Sequence, residues 1–225
     1  MSIPDAPTAG LAAVTHATIP CGTARLPGSL RMPTQARAVV VFAHGSGSGR
    51  TSPRNLLVSD ALNGLGVGTL LFDLLTEEEA LDRRNAFDMP RLADRLLAGI
   101  GWLTARQATR ELPIGAFGAS TGAGAALIAA AQEPLVRAVV SRGGRPDLAG
   151  EWLRRVTAPT LLIVGARDPE VLELNRDALK VMRGEHRLRI IPGVTHLFEE
   201  SGALEQVAQM TCEWFLAHLL PVAAR

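Results

Sequence analysis

Three residues stand in an order and a setting that suit nucleophilic attack on a carbonyl: Ser120, Asp168 and His196. Ser120 is the centre of Gly118-Ala119-Ser120-Thr121-Gly122. An apolar run, Leu112 to Phe117, precedes it, and a small-residue run, Ala123 to Gln132, follows it. That context reads as strand, tight turn, helix. A serine at the apex of such a turn is pushed out with its hydroxyl exposed, and the flanking glycines remove the Cβ atoms that would clash. A serine hydroxyl is a weak nucleophile until an adjacent base takes its proton. His196 is the base this arrangement needs, and Asp168 the acid that holds the imidazole tautomer and steadies the imidazolium. Each also has a plainer reading: Ser120 as a small turn residue, Asp168 as a cap of the helix after Pro169, His196 as a loop histidine. Asp147 is a rival acid, but it precedes a short helix and reads as its N-cap.

A second group of residues surrounds the triad in sequence logic. His44-Gly45-Ser46-Gly47-Ser48-Gly49 follows the β-branched run Ala38 to Ala43. A glycine-rich turn lets backbone N–H groups face a ligand oxygen. Ser46 N–H and Thr121 N–H are the expected oxyanion donors, and His44 an orienting residue below them that also counts among the substrate contacts. A phosphate loop is the competing reading, but no Gly-Lys-Ser/Thr ends the segment and the dinucleotide glycine spacing is not met. Arg50, Arg54, Arg142 and Arg145 all come just after strand ends. Such a guanidinium grips a substrate carboxylate by two parallel hydrogen bonds, or else pairs with Asp73, Asp147 or carbonyl oxygens to stiffen loops. Asp73 ends a strand on the same side, where it binds substrate or caps its own loop.

The elements that must position these residues alternate. Residues 12–28 read as two antiparallel edge strands with a turn marked by Pro20 and Gly22. Strands follow at 38–43, 68–72, 112–117, 137–141, 160–165 and 188–191. Helices are expected at 53–65, from Asp88 to about Ala105, and at 123–132, 148–156, 170–182 and 203–219. Leu92, Leu96, Ile100 and Leu103 share one face of the second. In the last, Leu204, Val207, Thr211, Trp214 and His218 fall at helical spacing, so His218 is a packed or rim histidine. Alternating strands and helices imply a parallel sheet covered on both faces. Every candidate residue follows the C-terminal end of a strand, where open α/β sheets keep their sites. The gap from Arg142 to Ala158 has room for one short helix and no lid, so the site is expected to be open and shallow. The segment 74–90 is the candidate cover, with Leu74, Leu75, Phe87 and Met89 as apolar contacts and Glu77 to Glu79 in solvent.

The chain resembles the dienelactone hydrolase family of α/β-hydrolases from about Ala38 to Leu219. The residues that carry the resemblance are HGSGSGR at 44–50, FD at 72–73, GASTG at 118–122, SRGGRPDLAG at 141–150, LLIVGARD at 161–168 and GVTH at 193–196. The resemblance implies an α/β-hydrolase fold and hydrolysis of esters or lactones by a nucleophile–histidine–acid triad. The family's namesake enzyme has cysteine as nucleophile, whereas this chain has Ser120, which favours a general esterase.

Composition suits one enzyme domain over 1–225. Of 225 residues 47% are apolar, enough for a sizeable core. Lys plus Arg number 23 against 22 Asp plus Glu, a net charge of +1 that gives no field for nucleic acid or an anionic membrane. No apolar run is long enough to span a bilayer, and Met1 to Thr15 lacks basic residues and a long apolar stretch, so it is not read as a secretory signal. Cys21 and Cys212 follow no metal or redox spacing and are expected to be free thiols of a cytoplasmic protein. The expectation is a doubly wound, mostly parallel α/β-hydrolase sheet with helices on both faces and no lid. The expected activity is hydrolysis of small soluble esters or lactones through an acyl-enzyme, without metal or organic cofactor, as a monomer or homodimer. Acyl transfer or thioester hydrolysis through the same acyl-enzyme is the alternative enzyme reading. A non-catalytic binder on this scaffold is the alternative of another class.

Overall fold

The computed structural model describes residues 13–220. Most of the stretch Met1 to Thr15 and the first residue of the expected edge strands lie outside the described residues. Among the described residues eight strands make one sheet in the order β1-β2-β4-β3-β5-β6-β7-β8. The parallel centre is β4 (Val67–Phe72), β3 (Ala38–Ala43), β5 (Ile114–Ala119), β6 (Val136–Arg142) and β7 (Thr160–Gly165), with β8 (His186–Ile191) on the outside. Strands β3, β4, β5 and β7 are buried at every position, as a sheet covered on both faces requires.

The antiparallel end is a hairpin of β1 (Ala13–Cys21) and β2 (Ala24–Met32), and β2 joins the sheet through β4. The turn lies at Gly22-Thr23, with Gly22 at φ +56°, a region open to glycine. Pro20 does not mark the turn. It stays within the edge strand β1, opposite Arg25, where a missing N–H costs no ladder bond on the solvent side.

Helices α1 (Pro53–Gly64) and α6 (Ala203–Leu219) cover one face. On the other face lie α3 (Met89–Thr104), α4 (Thr121–Gln132) and α5 (Pro169–Val181). The side chain of Asp88 accepts the Arg91 N–H and caps α3, and Leu92, Leu96, Ile100 and Leu103 are buried. Burying each such side chain contributes roughly 1.5–3 kcal/mol. The apolar side of α6 is spent on the core, with Val207, Ala208, Trp214 and Phe215 buried against the sheet. His218 stacks on Trp214 at a centroid distance of 4.2 Å, the packed position expected of it.

Two segments also differ in kind from the sequence reading. The segment 74–90 is not a plain loop. It holds the short helix α2 (Glu77–Ala80) and a 3-10 turn, Arg83–Phe87. Thr76 and Glu79 form a reciprocal cap at the start of α2, and Glu79 also pairs with Arg95 at 2.9 Å. Glu79 is therefore a structural anchor rather than a solvated charge. The segment after β6 is a 3-10 run, Pro146–Arg155, interrupted at Gly150 with φ +51°. Asp147 does not cap it. Both its carboxylate oxygens pair with Arg145, at 2.8 and 2.7 Å.

Among the described residues no helix is long and apolar enough to cross a membrane. Cys21 and Cys212 are free, and burial pushes the Cys212 thiol up to about 12.

Candidate active site

The strand β5 delivers Ser120 to the C-terminal edge of the sheet. Ser120 takes φ +50° and ψ −122°, a backbone conformation that L residues avoid, so the turn is strained and the side chain stands clear of both elements. Two glycines make the turn possible. A Cβ on Gly118 would meet Ala123 Cα at 2.4 Å, and one on Gly122 would meet Ala43 O at 2.2 Å. Gly45 matters likewise, because its Cβ would lie 2.9 Å from that of Ser120. The turn is tied to β6 by the Ser120 N–H, which donates to Arg142 O at 3.2 Å.

His196 and Asp168 meet Ser120 from the ends of β8 and β7. His196 Nε2 lies 3.4 Å from Ser120 Oγ, and His196 Nδ1 lies 2.6 Å from Asp168 Oδ2. Asp168 is in the N-cap position of α5 but makes no capping hydrogen bond. Its carboxylate is committed to the histidine. The three side chains thus form one connected hydrogen-bond chain, the geometry that a relay of nucleophile, base and acid requires.

The loop that carries His196 has supports the sequence did not announce. Glu200 Oε1 accepts the Thr195 N–H at 3.0 Å, an interaction that holds the Glu200 carboxyl below its usual range. Phe198, buried at φ +56°, anchors the loop in the core. A glutamate among other charges and a phenylalanine in a polar loop carry no signal in sequence beyond their distance from His196.

Ser46 and Thr121 are adjacent, as the oxyanion reading requires. Ser46 N–H donates to Thr121 Oγ1 at 3.1 Å, so the threonine hydroxyl occupies one of the two expected donors. Thr121 opens α4, where the first N–H groups have no partner within the helix. His44 is held by backbone on both sides. Its Nε2 accepts the Leu74 N–H at 2.9 Å, which leaves Nδ1–H to donate to Gly45 O at 3.0 Å. Burial lowers the His44 pKa below 6.5, so the ring is a neutral brace between the β3 and β4 loops.

The arginines divide. Arg50 is not free for substrate: its guanidinium pairs with Asp73 Oδ2, and its N–H donates to Asp73 Oδ1 at 2.7 Å. Asp73 thus closes the glycine-rich loop rather than facing substrate alone. Arg54 reaches Glu199 at 3.7 Å, and Arg142 has no ion-pair partner among the described residues.

Beside the triad lies an open crevice of about 350 Å³ between the 44–48 loop and the α2 segment, with Asp73, Leu75, Glu77, Arg83 and Thr121 in its wall. Glu77 borders this crevice and is exposed to solvent, as expected of it. Among the described residues no group of three or more His, Cys, Asp or Glu side chains could hold a metal ion.

A strained serine between a parallel strand and a helix, with acid and histidine on later strand ends, defines the α/β-hydrolase class. The family described as "Alpha/beta hydrolase domain" matches residues 36–218. A crystal structure of dienelactone hydrolase from Anabaena variabilis is similar at 50% identity and a TM-score of 0.90, over 93% of this chain and 99% of that one. This chain belongs to the α/β-hydrolases, in the dienelactone hydrolase family. The ferulic-acid-bound Est1E of Butyrivibrio proteoclasticus, at 20% identity and a TM-score of 0.77 over 91% of this chain and 100% of that one, shares the fold. A Mycobacterium tuberculosis protein with the provisional name phosphoribosyl transferase is 58% identical over 199 residues. The match covers 88% of this chain, and the chain spans less than half, 45%, of that relative.

Proposed function

We propose that the chain is a serine carboxylic ester hydrolase for small esters or lactones, working through an acyl-enzyme. The observation that carries this reading is the relay from Ser120 Oγ to His196 Nε2 at 3.4 Å and from His196 Nδ1 to Asp168 Oδ2 at 2.6 Å. His196 takes the Ser120 proton as Oγ attacks the carbonyl carbon, and Asp168 holds the imidazolium that forms. The carbonyl oxygen becomes negative and is met by the Thr121 and Ser46 N–H groups, the latter freed when the Thr121 hydroxyl rotates away. Each such donor contributes roughly 3 kcal/mol to the barrier reduction. The alcohol departs with the proton from His196. Water, deprotonated by the same histidine, then attacks the acyl-enzyme, and the acid leaves Ser120.

The dienelactone hydrolase name of the Anabaena variabilis protein supports ester or lactone chemistry. The transferase name belongs to a protein of which this chain matches 45%, and the matched part has the hydrolase fold. We assign the activity to the cytoplasm. The test is hydrolysis of para-nitrophenyl acetate, butyrate and octanoate. The open crevice favours the short acyl chains, and Ser120→Ala is expected to lower turnover by roughly 10⁴-fold or more. An equally active Ser120→Ala variant sinks the proposal.

A further inference from the structure

The segment 76–87 walls the crevice and buries none of its own side chains. Thr76, Glu77, Ala80, Asp82, Arg83 and Ala86 line the space, yet no residue of α2 or of the 3-10 turn is buried. The two ends are fixed. Leu74 is buried with its N–H on His44 Nε2 at 2.9 Å, and Asp88 caps α3. Between them the polar ties meet at Glu79. Its Oε2 accepts the Thr76 N–H at 2.9 Å, its Oε1 accepts from Arg95 Nη2 at 2.9 Å, and its backbone O accepts from Asn85 Nδ2 at 2.7 Å. Arg95 is 9% exposed and Glu79 is the acid it pairs with, while Arg91 stands farther from Glu79 at 3.7 Å. One glutamate thus fixes the setting of a segment that has no buried side chain of its own.

The apolar residues of this segment are Ala80, Leu81, Ala86 and Phe87. The two alanines face the crevice, whereas Leu81 is 84% exposed and Phe87 51%. A fixed wall would gain from the reverse, because a large apolar side chain left in water forgoes its burial. Leu81 directly follows Ala80, and Phe87 directly follows Ala86. Successive residues point about 100° apart around an α-helical turn and about 120° apart around a 3-10 turn. A roll of that size in each turn exchanges both alanines for Leu81 and Phe87. The wall then becomes apolar and the crevice narrower. In the empty site the Glu79 ties oppose the roll. A group that fills the crevice supplies the apolar contact that favours it, and so shifts the balance between the two settings.

We propose that the segment 76–87 is a two-position cover that selects for an apolar acyl group. Glu79 on Arg95 latches it in the empty site, and it closes on bound ester by turning Leu81 and Phe87 inward. The proposal rests on the ester-hydrolase reading and narrows its substrates to esters with an apolar acyl part. The acyl part is the one the cover can hold, since it stays tethered to Ser120 through both half-reactions. Ser46 and Thr121 line the same crevice, so closure also removes water from the oxyanion donors and strengthens their hold on the developing charge. The cover is part of the connection between β4 and α3 and not an inserted lid.

The test uses the cover's own Arg83 and Arg84, both exposed, as sites for trypsin. Glu79→Gln keeps an acceptor for the Thr76 N–H but removes the charge from Arg95. At an unchanged urea midpoint it is expected to be cut at these two bonds about tenfold faster than the wild type, because cleavage follows the population of the released cover. The wild type labelled on Ser120 with a hexyl fluorophosphonate is expected to be cut several-fold more slowly than one carrying the methyl reagent. The double variant Leu81→Ser with Phe87→Ser changes two exposed side chains, so it should fold like the wild type. It is expected to lose the difference between the two labels. Its ratio of kcat/KM for para-nitrophenyl butyrate over acetate should fall about fivefold or more, the worth of the lost apolar contact. Cleavage of Glu79→Gln at the wild-type rate overturns the latch. Equal cleavage under the hexyl and methyl labels, or a wild-type ester ratio in the double variant, overturns the closure, and neither arm depends on how Glu79→Gln folds. If every ester is inert and Ser120 takes no label, the hydrolase reading fails, and the cleavage rates of the unlabelled proteins still decide the latch.

Discussion

Holding Ser120 at a positive φ costs on the order of 1–3 kcal/mol, and the surroundings must over-determine the turn to keep it there. Gly122 is the tightest of those constraints, since a Cβ there would run into the carbonyl oxygens of Ala43 and His44 at 2.2 and 2.5 Å. These are backbone atoms of β3 and its loop and cannot swing aside like a side chain. Gly122→Ala should therefore cost about 1–3 kcal/mol in urea unfolding and lower turnover in the proposed ester hydrolysis with it, and wild-type values for both would contradict the close approach. His44 makes a different kind of prediction. Its folded pKa lies below the ordinary 6.5, so below that pH the unfolded chain takes up a proton that the folded one refuses. Stability should fall as pH drops from 6.5 toward the folded value. His44→Gln, whose Oε1 can accept the Leu74 N–H, should flatten this part of the melting-temperature profile. An unchanged slope would remove His44 as its source. Ser120, Asp168 and His196 were legible because their types are chemically distinctive and each follows a strand end. The Arg50–Asp73 pair was open to two readings and Glu200 was silent, since both depend on how separate loops approach each other.

The strands were easier to read than what joins them. The apolar runs of β3, β4, β5 and β7 stand out because both sheet faces are buried, and α3 because its apolar spacing is helical. The α2 segment and the 3-10 run Pro146–Arg155 were not seen in that form. Four residues of helix and a 3-10 run interrupted at Gly150 leave too little periodicity to detect, and their hold comes from partners such as Arg95. Strand β8 began two residues earlier than its apolar core suggests, because His186 and Arg187 pair with β7 through backbone alone. It is an outer strand, and Arg187 and Arg189 are exposed on it. Charges on an outer strand discourage pairing with another copy. Replacing both by valine should shift the protein toward larger species in light scattering at equal concentration. A double variant that scatters like the wild type would show that something other than these charges guards the edge.

At the scale of the whole molecule, the site is assembled from chain segments that meet only in the finished sheet. β3 supplies the 44–50 loop, β5 the serine, β7 the aspartate and β8 the histidine. Ser46 and Thr121 are 75 positions apart, and Ser120 and His196 are 76. Closing loops of that length pays its entropy before the contacts reward it, so they belong to the late part of folding. A refolding chain can thus regain helix content and much of its collapsed core while still unable to carry out the proposed ester hydrolysis. Returning catalysis is a clock that starts only when the last long-range strand pairing is in place, and an intermediate halted earlier is invisible to substrate.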